Sequence, residues 1–361
     1  MPGSQKKILI LHRDLNWLGG IEAYYAKIKD KFSAPVEHFI IGRRPGEKGK
    51  ATQVFRMLGD YARFVRVLRK GGHEIVHVNP SLEFDALVRE AGFLFLARLL
   101  GRKTLVFIRG WQKPFEEFIN KRVWFFRLLY GKTDAFIVLS EEFKQALRSW
   151  GCTQPIYCEV TIADDAILRN FDISAEIAKR QSGPWRVLFA SRIMKAKGIY
   201  EVIDAVEKVQ KEFPDTALVV AGNGEELEPA KAYVKGKEVP NVEFVGYLRG
   251  QEYFDQFSRS HVLCFPTQHG EGMPNVVVEA MALGLPVVTR KVGGIADFFV
   301  DGEHGYATMG TDAGEFADYL LRLRKDQKLY AHIARHNYEY ARQRFLASNA
   351  AKRLEAIYDQ L

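Results

Sequence analysis

The sequence predicts an α/β protein built from two Rossmann-like, doubly wound domains, and three observations carry that prediction. Short apolar runs alternate with amphipathic stretches along almost the whole chain, the rhythm of parallel strands covered by helices. A polar stretch at 165–184, ending in Ser182-Gly183-Pro184, interrupts the rhythm, which then restarts. The 361 residues suffice for one domain of ordinary size on each side of that break.

In the first half the expected strands are 7–11, 38–41, 75–78, 104–108, 135–139 and 156–160, with helices at 20–32, 52–69 and 84–100 between them. In the second half the strands fall at 185–190, 217–221, 242–245, 262–265 and 286–289. The domains are set at 1–170 and 171–340, with 341–361 as a C-terminal helix crossing back to the first domain. The helical character of this tail begins near 326. Sheets of this kind bind ligands beyond the carboxyl ends of their strands, so the expected site is a central cleft faced by both domains.

Composition narrows the function classes. With 47% hydrophobic and 27% charged residues the chain is ordinary for a soluble protein. Cys152, Cys158 and Cys264 show no metal or redox spacing and fit a reducing compartment. The apolar run after the first lysines is too short for a signal peptide or a membrane span, so a cytoplasmic protein is expected. The net charge of +8 raises nucleic acid as a partner. No basic tail, zinc spacing or RNP-like motif accompanies it, and anionic ligands or a nearby anionic membrane explain the charge better.

Four constellations stand where strands end. Gly19-Gly20 opens a helix, either as a plain βα turn or as a place where backbone approaches an anion. Arg192 follows a strand and Lys197 comes five residues later, a pair that could grip a diphosphate or form a solvated basic loop. GNG at 222–224 lacks the third glycine of a dinucleotide fingerprint and reads as a turn, facing a nucleotide or not. Last is GEGMPNVVVEAMALGLP, residues 270–286, with Glu271 and Glu279 eight positions apart. Pro274 and Asn275 suit a helix start, which puts Glu279 about one turn in and tilts its side chain back toward the loop of Glu271. An ionised carboxylate in so apolar a run needs a polar partner.

Residues 271–306 resemble the donor-site signature of the family-4 retaining glycosyltransferases, which have the GT-B fold. Glu271 and Glu279 match that family's E-x7-E pair, Arg192 and Lys197 in ASRIMKAKG its R…KG element, and Gly19-Gly20 its N-terminal glycine loop. The resemblance implies that Glu271 holds hydroxyls of the transferred sugar, helped by backbone N–H groups of Gly272, Met273 and Asn275, with Val276 also among the donor-binding residues. It implies that Glu279 takes the ribose hydroxyls, and that Arg192 and Lys197 neutralise the diphosphate, the three residues Arg192, Lys197 and Glu271 being catalytic. Gly19 and Gly20 would touch donor phosphate or sugar, and Gly246 and Tyr247 lie where the family holds the base. It also implies a nucleotide diphosphate sugar as co-substrate, a UDP-sugar being favoured, with no cofactor, no metal and no protein nucleophile.

Two departures are visible. Arg109, in VFIRGW, stands where many members have a histidine, and cannot act as a general base; with Trp111 it becomes a candidate contact for an anionic acceptor or sugar. TIADDA at 161–166 replaces the family's usual turn before the linker. The acceptor is expected to be a saccharide or lipid-linked saccharide of cell-surface polysaccharide or glycolipid synthesis, bound by the first domain. Residues 121–132, KRVWFFRLLYGK, fit either a peripheral contact with the anionic inner face of the cell membrane or a core helix with snorkelling cations, the second being preferred. A nucleotide-sugar epimerase, a phosphorylase and a non-catalytic nucleotide-sugar binder remain as alternatives on the same fold.

Overall fold

A computed structural model describes residues 6–17, 19–44, 47, 49–169, 171–268 and 272–361. The chain folds as two compact units, Met1–Thr161 with Ala347–Leu361, and Ile162–Leu346.

The first unit runs β1 (Ile8–His12), α1 (Gly20–Ile28), β2 (Val36–Ile40), α2 (Lys50–Gly71), β3 (Ile75–Val78), α3 (Phe84–Leu99), β4 (Lys103–Phe107), α4 (Lys113–Asn120), α5 (Val123–Tyr130), β5 (Ala135–Val138), α6 (Glu141–Ser149) and β6 (Ile156–Cys158). Its main sheet has six parallel strands in the order β2-β1-β3-β4-β5-β6. β1, β3 and β5 are buried at every position. Runs of unbroken Ile, Leu, Val and Phe are what a parallel sheet covered on both faces requires.

The second unit begins with α7 (Ile173–Gln181), β7 (Arg186–Ala190), α8 (Ile199–Gln210), β8 (Ala217–Ala221), α9 (Leu227–Gly236), β9 (Val242–Gly246) and α10 (Gly250–Arg259). It continues with β10 (Val262–Phe265), α11 (Asn275–Ala282), β11 (Val287–Arg290), β12 (Gly305–Thr308), α12 (Ala313–Lys325) and α13 (Gln327–Arg344). All six strands are again parallel, in the order β9-β8-β7-β10-β11-β12. The order turns back between β7 and β10, which makes their carboxyl ends the switch point of the sheet.

The chain then returns to the first unit as α14 (Ala347–Asp359). Arg353 makes two 2.8 Å contacts with the carboxylate of the buried Glu159, and the Tyr358 hydroxyl meets His77 Nδ1 at 2.8 Å. The Glu355 carboxylate accepts from Ser33 Oγ and Ala34 N.

Four features depart from the sequence expectations. The stretch read as a polar join contains α7, whose Asp172 side chain caps the N–H groups of Ser174 and Ala175 while Ile177 packs on Tyr330 and Ala334. β12 was not anticipated, because GYAT is short and lies between turn residues. The helical tail is two helices, α13 in the second unit and α14 in the first. The units change over at 161/162 and 346/347, against expected positions of 170/171 and 340/341.

Candidate functional site

In the second unit the carboxyl edge of the sheet is locked by backbone contacts. After β7, Ser191 N donates to Ala221 O and Ile193 N to Asn223 O, which ties the Arg192 loop to the turn after β8. A Cβ on Gly222 would lie 1.9 Å from Ser191 O. The GNG turn therefore has glycine because it lies directly on the neighbouring loop. It fixes Arg192, which is itself exposed.

Lys197 closes a single tight turn, Lys195–Lys197, and Gly198 follows with φ +83°. A Cβ at Gly198 would sit 2.6 Å from Pro266 O, and Gln268 N donates to Ala196 O at 2.8 Å. The turn is thereby pinned against the loop that leaves β10. Lys197 is 6% exposed, with its ammonium 5.9 Å from the ring centre of Phe265, the last residue of β10. Burial, and secondly the Arg192 guanidinium, pull its pKa down to about 8. Two cations thus share the switch point between β7 and β10.

Residues Val276–Ala282 of α11 are all buried, and Glu279 is 6% exposed among them. Its polar partner comes from α10: the Tyr253 hydroxyl donates to Glu279 Oε2 at 3.0 Å. Burial first and the Glu279 carboxylate second hold Tyr253 well above the ordinary tyrosine pKa, so it remains a donor. Sequence reasoning asked for such a partner but missed Tyr253; the signal available was an amphipathic α10 with a tyrosine among its buried-face residues. Gly272 O accepts from Gly294 N at 2.6 Å, which joins the loop before α11 to the turn after β11. Met273 and Val276 are buried and Asn275 is exposed. Gly246 ends β9 with φ +73° and accepts from Gly222 N at 2.7 Å. Tyr247 beside it is exposed, with the Arg249 guanidinium over its ring. Glu271 lies outside the described residues.

The first-unit candidates are placed less openly than expected. Gly19 precedes α1 in extended conformation, and a Cβ there would fall 2.1 Å from the Glu22 carboxylate. That carboxylate is the far end of a flexible side chain, so the contact does not itself demand glycine, and Gly20 has open space around it. Arg109 lies flat over Tyr24 at 3.7 Å and beside Phe107 at 4.7 Å. Its Nε and Nη1 are shut off from solvent and have no hydrogen-bond partner among the described residues. Trp111 stacks on Phe143 at 4.1 Å and donates from Nε1 to Glu116 at 2.7 Å, which leaves it little surface for a sugar.

Residues 121–132 divide between the two readings. Phe126 and Tyr130 face the core, while Trp124 and Leu128 are exposed. With eight residues and one buried face, α5 cannot hide all its aromatics. Among the described residues no helix is long and apolar enough to cross a membrane. Glu303, His304 and His336 bring three ligand-type atoms within 4.8 Å of one another. They gather before the first residue of β12, at the amino edge of the sheet, opposite the cation pair.

Residues 170–340 match the family model of the glycosyl transferases group 1. The chain is similar to the capsular polysaccharide biosynthesis glycosyltransferase CapM of Staphylococcus aureus, 29% identical over 173 residues, 47% of this chain and 45% of CapM. It is also similar to the phosphatidyl-myo-inositol mannosyltransferase of Mycobacterium leprae, 31% identical over 144 residues, 40% of this chain and 38% of that one. The match thus spans less than half the length of these curated relatives. Among solved structures, Anabaena Alr3699/HepE in complex with UDP and glucose superposes with a TM-score of 0.72 at 20% identity, covering 99% of this chain and all of that one. The fold is GT-B.

Proposed function

We propose that the protein is a metal-independent, retaining glycosyltransferase that moves a sugar from a nucleotide diphosphate sugar to a saccharide or lipid-linked saccharide. The observation that carries this reading is the cation pair at the switch point, Lys197 buried and Arg192 exposed beside it. Two positive charges at the carboxyl edge of a doubly wound sheet suit a diphosphate.

The roles follow from the chemistry of each group. Arg192 offers a planar fork and Lys197 a point charge to the diphosphate oxygens, and so both stabilise the leaving group. Glu279, held by Tyr253, accepts from ribose hydroxyls. Glu271 is assigned to the sugar hydroxyls on sequence alone. In the transfer the acceptor hydroxyl oxygen forms the new bond to the anomeric carbon as the bond to the phosphate oxygen breaks on the same face. The hydroxyl proton passes to the departing diphosphate. Uridine is the favoured base; the Anabaena structure contains UDP, and the relatives' names speak for polysaccharide or glycolipid synthesis.

The test is a thermal-shift screen of UDP-, GDP- and ADP-sugars, followed by NMR of the product's anomeric configuration. A ligand at a hundred times its Kd should add about 2.7 kcal/mol of stability. A flat screen with all three, or an inverted product, defeats the proposal.

A further inference from the structure

Two imidazoles and a carboxylate meet at the amino edge of the second unit's sheet, where the transfer chemistry has no use for them. Glu303 and His304 end the turn before β12, and His336 stands on α13. One ligand-type atom from each lies within 4.8 Å of the others. His304 is 1% exposed, and its backbone is tied on both sides. Its N–H donates to Val300 O at 3.1 Å, and its carbonyl accepts from Val287 N, at the start of β11, at 3.0 Å.

The buried Asn337, next to His336 on α13, fixes the tautomer of the His304 ring. Its Nδ2 donates to Leu285 O at 2.8 Å and to His304 O at 2.9 Å, which uses both amide hydrogens. Its Oδ1 then faces His304 Nδ1 at 3.0 Å. An amide oxygen only accepts, so Nδ1 carries the ring proton and Nε2 keeps a lone pair. The Phe298 carbonyl, another oxygen beside the ring, has no hydrogen to offer that lone pair either. A ring N–H anchored on an oxygen, with the opposite nitrogen left basic, is how metal-ligating histidines are held. His336 offers the second nitrogen. Its Nε2 is closed off from solvent and has no hydrogen-bond partner among the described residues. It faces Glu303 Oε2 at 3.8 Å, too far for a hydrogen bond. A buried polar atom left in that state costs free energy, and a group placed between it and the carboxylate would relieve the cost. The rings of His304 and His336 lie 4.8 Å apart, with Tyr340 4.7 Å and Phe298 5.6 Å from His304 in an apolar surround.

We propose that Glu303, His304 and His336 bind one divalent first-row cation, with zinc the best match. Two imidazole nitrogens and one carboxylate oxygen, with water as the fourth ligand, suit tetrahedral zinc. At zinc–ligand lengths of about 2.0–2.1 Å the ligand atoms stand about 3.3 Å apart, so the cluster contracts by up to about 1.5 Å. The Glu303 side chain is 54% exposed and the His336 side chain 33%, so both can turn to supply that movement. The cation staples α13 to the turn that opens β12. It lies at the edge of the sheet away from Arg192 and Lys197, so the transfer itself stays metal-independent and this inference does not depend on the transferase reading.

The test is calorimetric titration of zinc chloride into the full chain, after treatment with a chelator and its removal. One equivalent should bind with a micromolar or tighter Kd, and saturating zinc should raise the melting temperature by about 5 °C. Glu303→Gln, at an exposed position, and His336→Gln should each weaken binding by about tenfold or more, and His304→Gln should do the same. His304 is buried, so the other two variants decide if circular dichroism shows His304→Gln unfolded. His332 is the competitor: it is exposed one turn before His336, on the same face of α13. Zinc that binds Glu303→Gln and His304→Gln as tightly as the wild type, and is lost with His332→Ala, belongs to that surface pair and overturns the proposal. No binding at millimolar zinc, or binding without any rise in melting temperature, overturns it as well.

Discussion

At the carboxyl edge of the second unit's sheet, backbone presses on backbone: Gly222 against Ser191, Gly198 against Pro266, Gly294 against Gly272. At the same edge of the first unit the contacts are made by side chains, Glu22 over Gly19, Arg109 over Tyr24, Trp111 on Phe143. The outer surfaces differ as well. Among the described residues, eleven large apolar side chains are exposed in the first unit and three in the second. Two sheets of similar topology are thus used in opposite ways. One unit is a tightly packed frame in which Gly198 and Gly222 leave no room for a Cβ, and the other presents side chains and exposed apolar residues.

The largest expected contrast is in activity. Arg192→Ala and Glu279→Ala, both in the tightly packed frame, should each lower turnover by about 10²–10³-fold, as loss of a preorganised charge or hydrogen-bonding group does. Circular dichroism should show both variants folded, and wild-type turnover in either would break the site assignment. Next comes stability. Gly198→Ala sets a Cβ 2.6 Å from a carbonyl oxygen at positive φ and should cost about 2–4 kcal/mol in urea unfolding. Gly20→Ala, with open space and helical position, should change stability by no more than about 0.5 kcal/mol. Equal costs at the two glycines would erase the distinction between the units.

A smaller effect sharpens the Glu279 assignment. Tyr253→Phe removes one hydrogen bond to a carboxylate and should weaken donor binding by about tenfold, near 1.4 kcal/mol, read by calorimetry. The pH dependence is the mildest expectation. Lys197 loses its proton near pH 8 when folded, against 10.5 in the open chain. Between those values the unfolded chain holds a proton that the folded one has released, so this group adds stability as pH rises through the window. Donor binding runs the other way: it weakens above about pH 8 and takes up a proton. Titrations at pH 8.5 in buffers of different ionisation enthalpy measure that uptake.

The contrast also explains what could be read from the residues. Strands β3, β8 and β10 lie where their apolar runs place them, and the helix start at Pro274-Asn275 follows from residue chemistry that acts within a few positions. Arg192 and Lys197 were visible because cations at a strand end have little reason to be there. Tyr253 was hidden, since its meaning depends on a partner 26 residues away. So was the role of the GNG turn, because nothing local says that Ser191 will lie against Gly222. Phe84 and Val88 look like core residues in the sequence, and only the packing of α3 shows that its apolar residues exceed what the sheet can cover.

The return of α14 to the first unit has a consequence for biogenesis. Glu159, Ser33 and His77 wait for Arg353, Glu355 and Tyr358, which the ribosome adds only after the whole of Ile162–Leu346 has been made. The second unit holds all its strands in one continuous stretch of chain and is free to fold first. The earlier-synthesised half is then the later one finished.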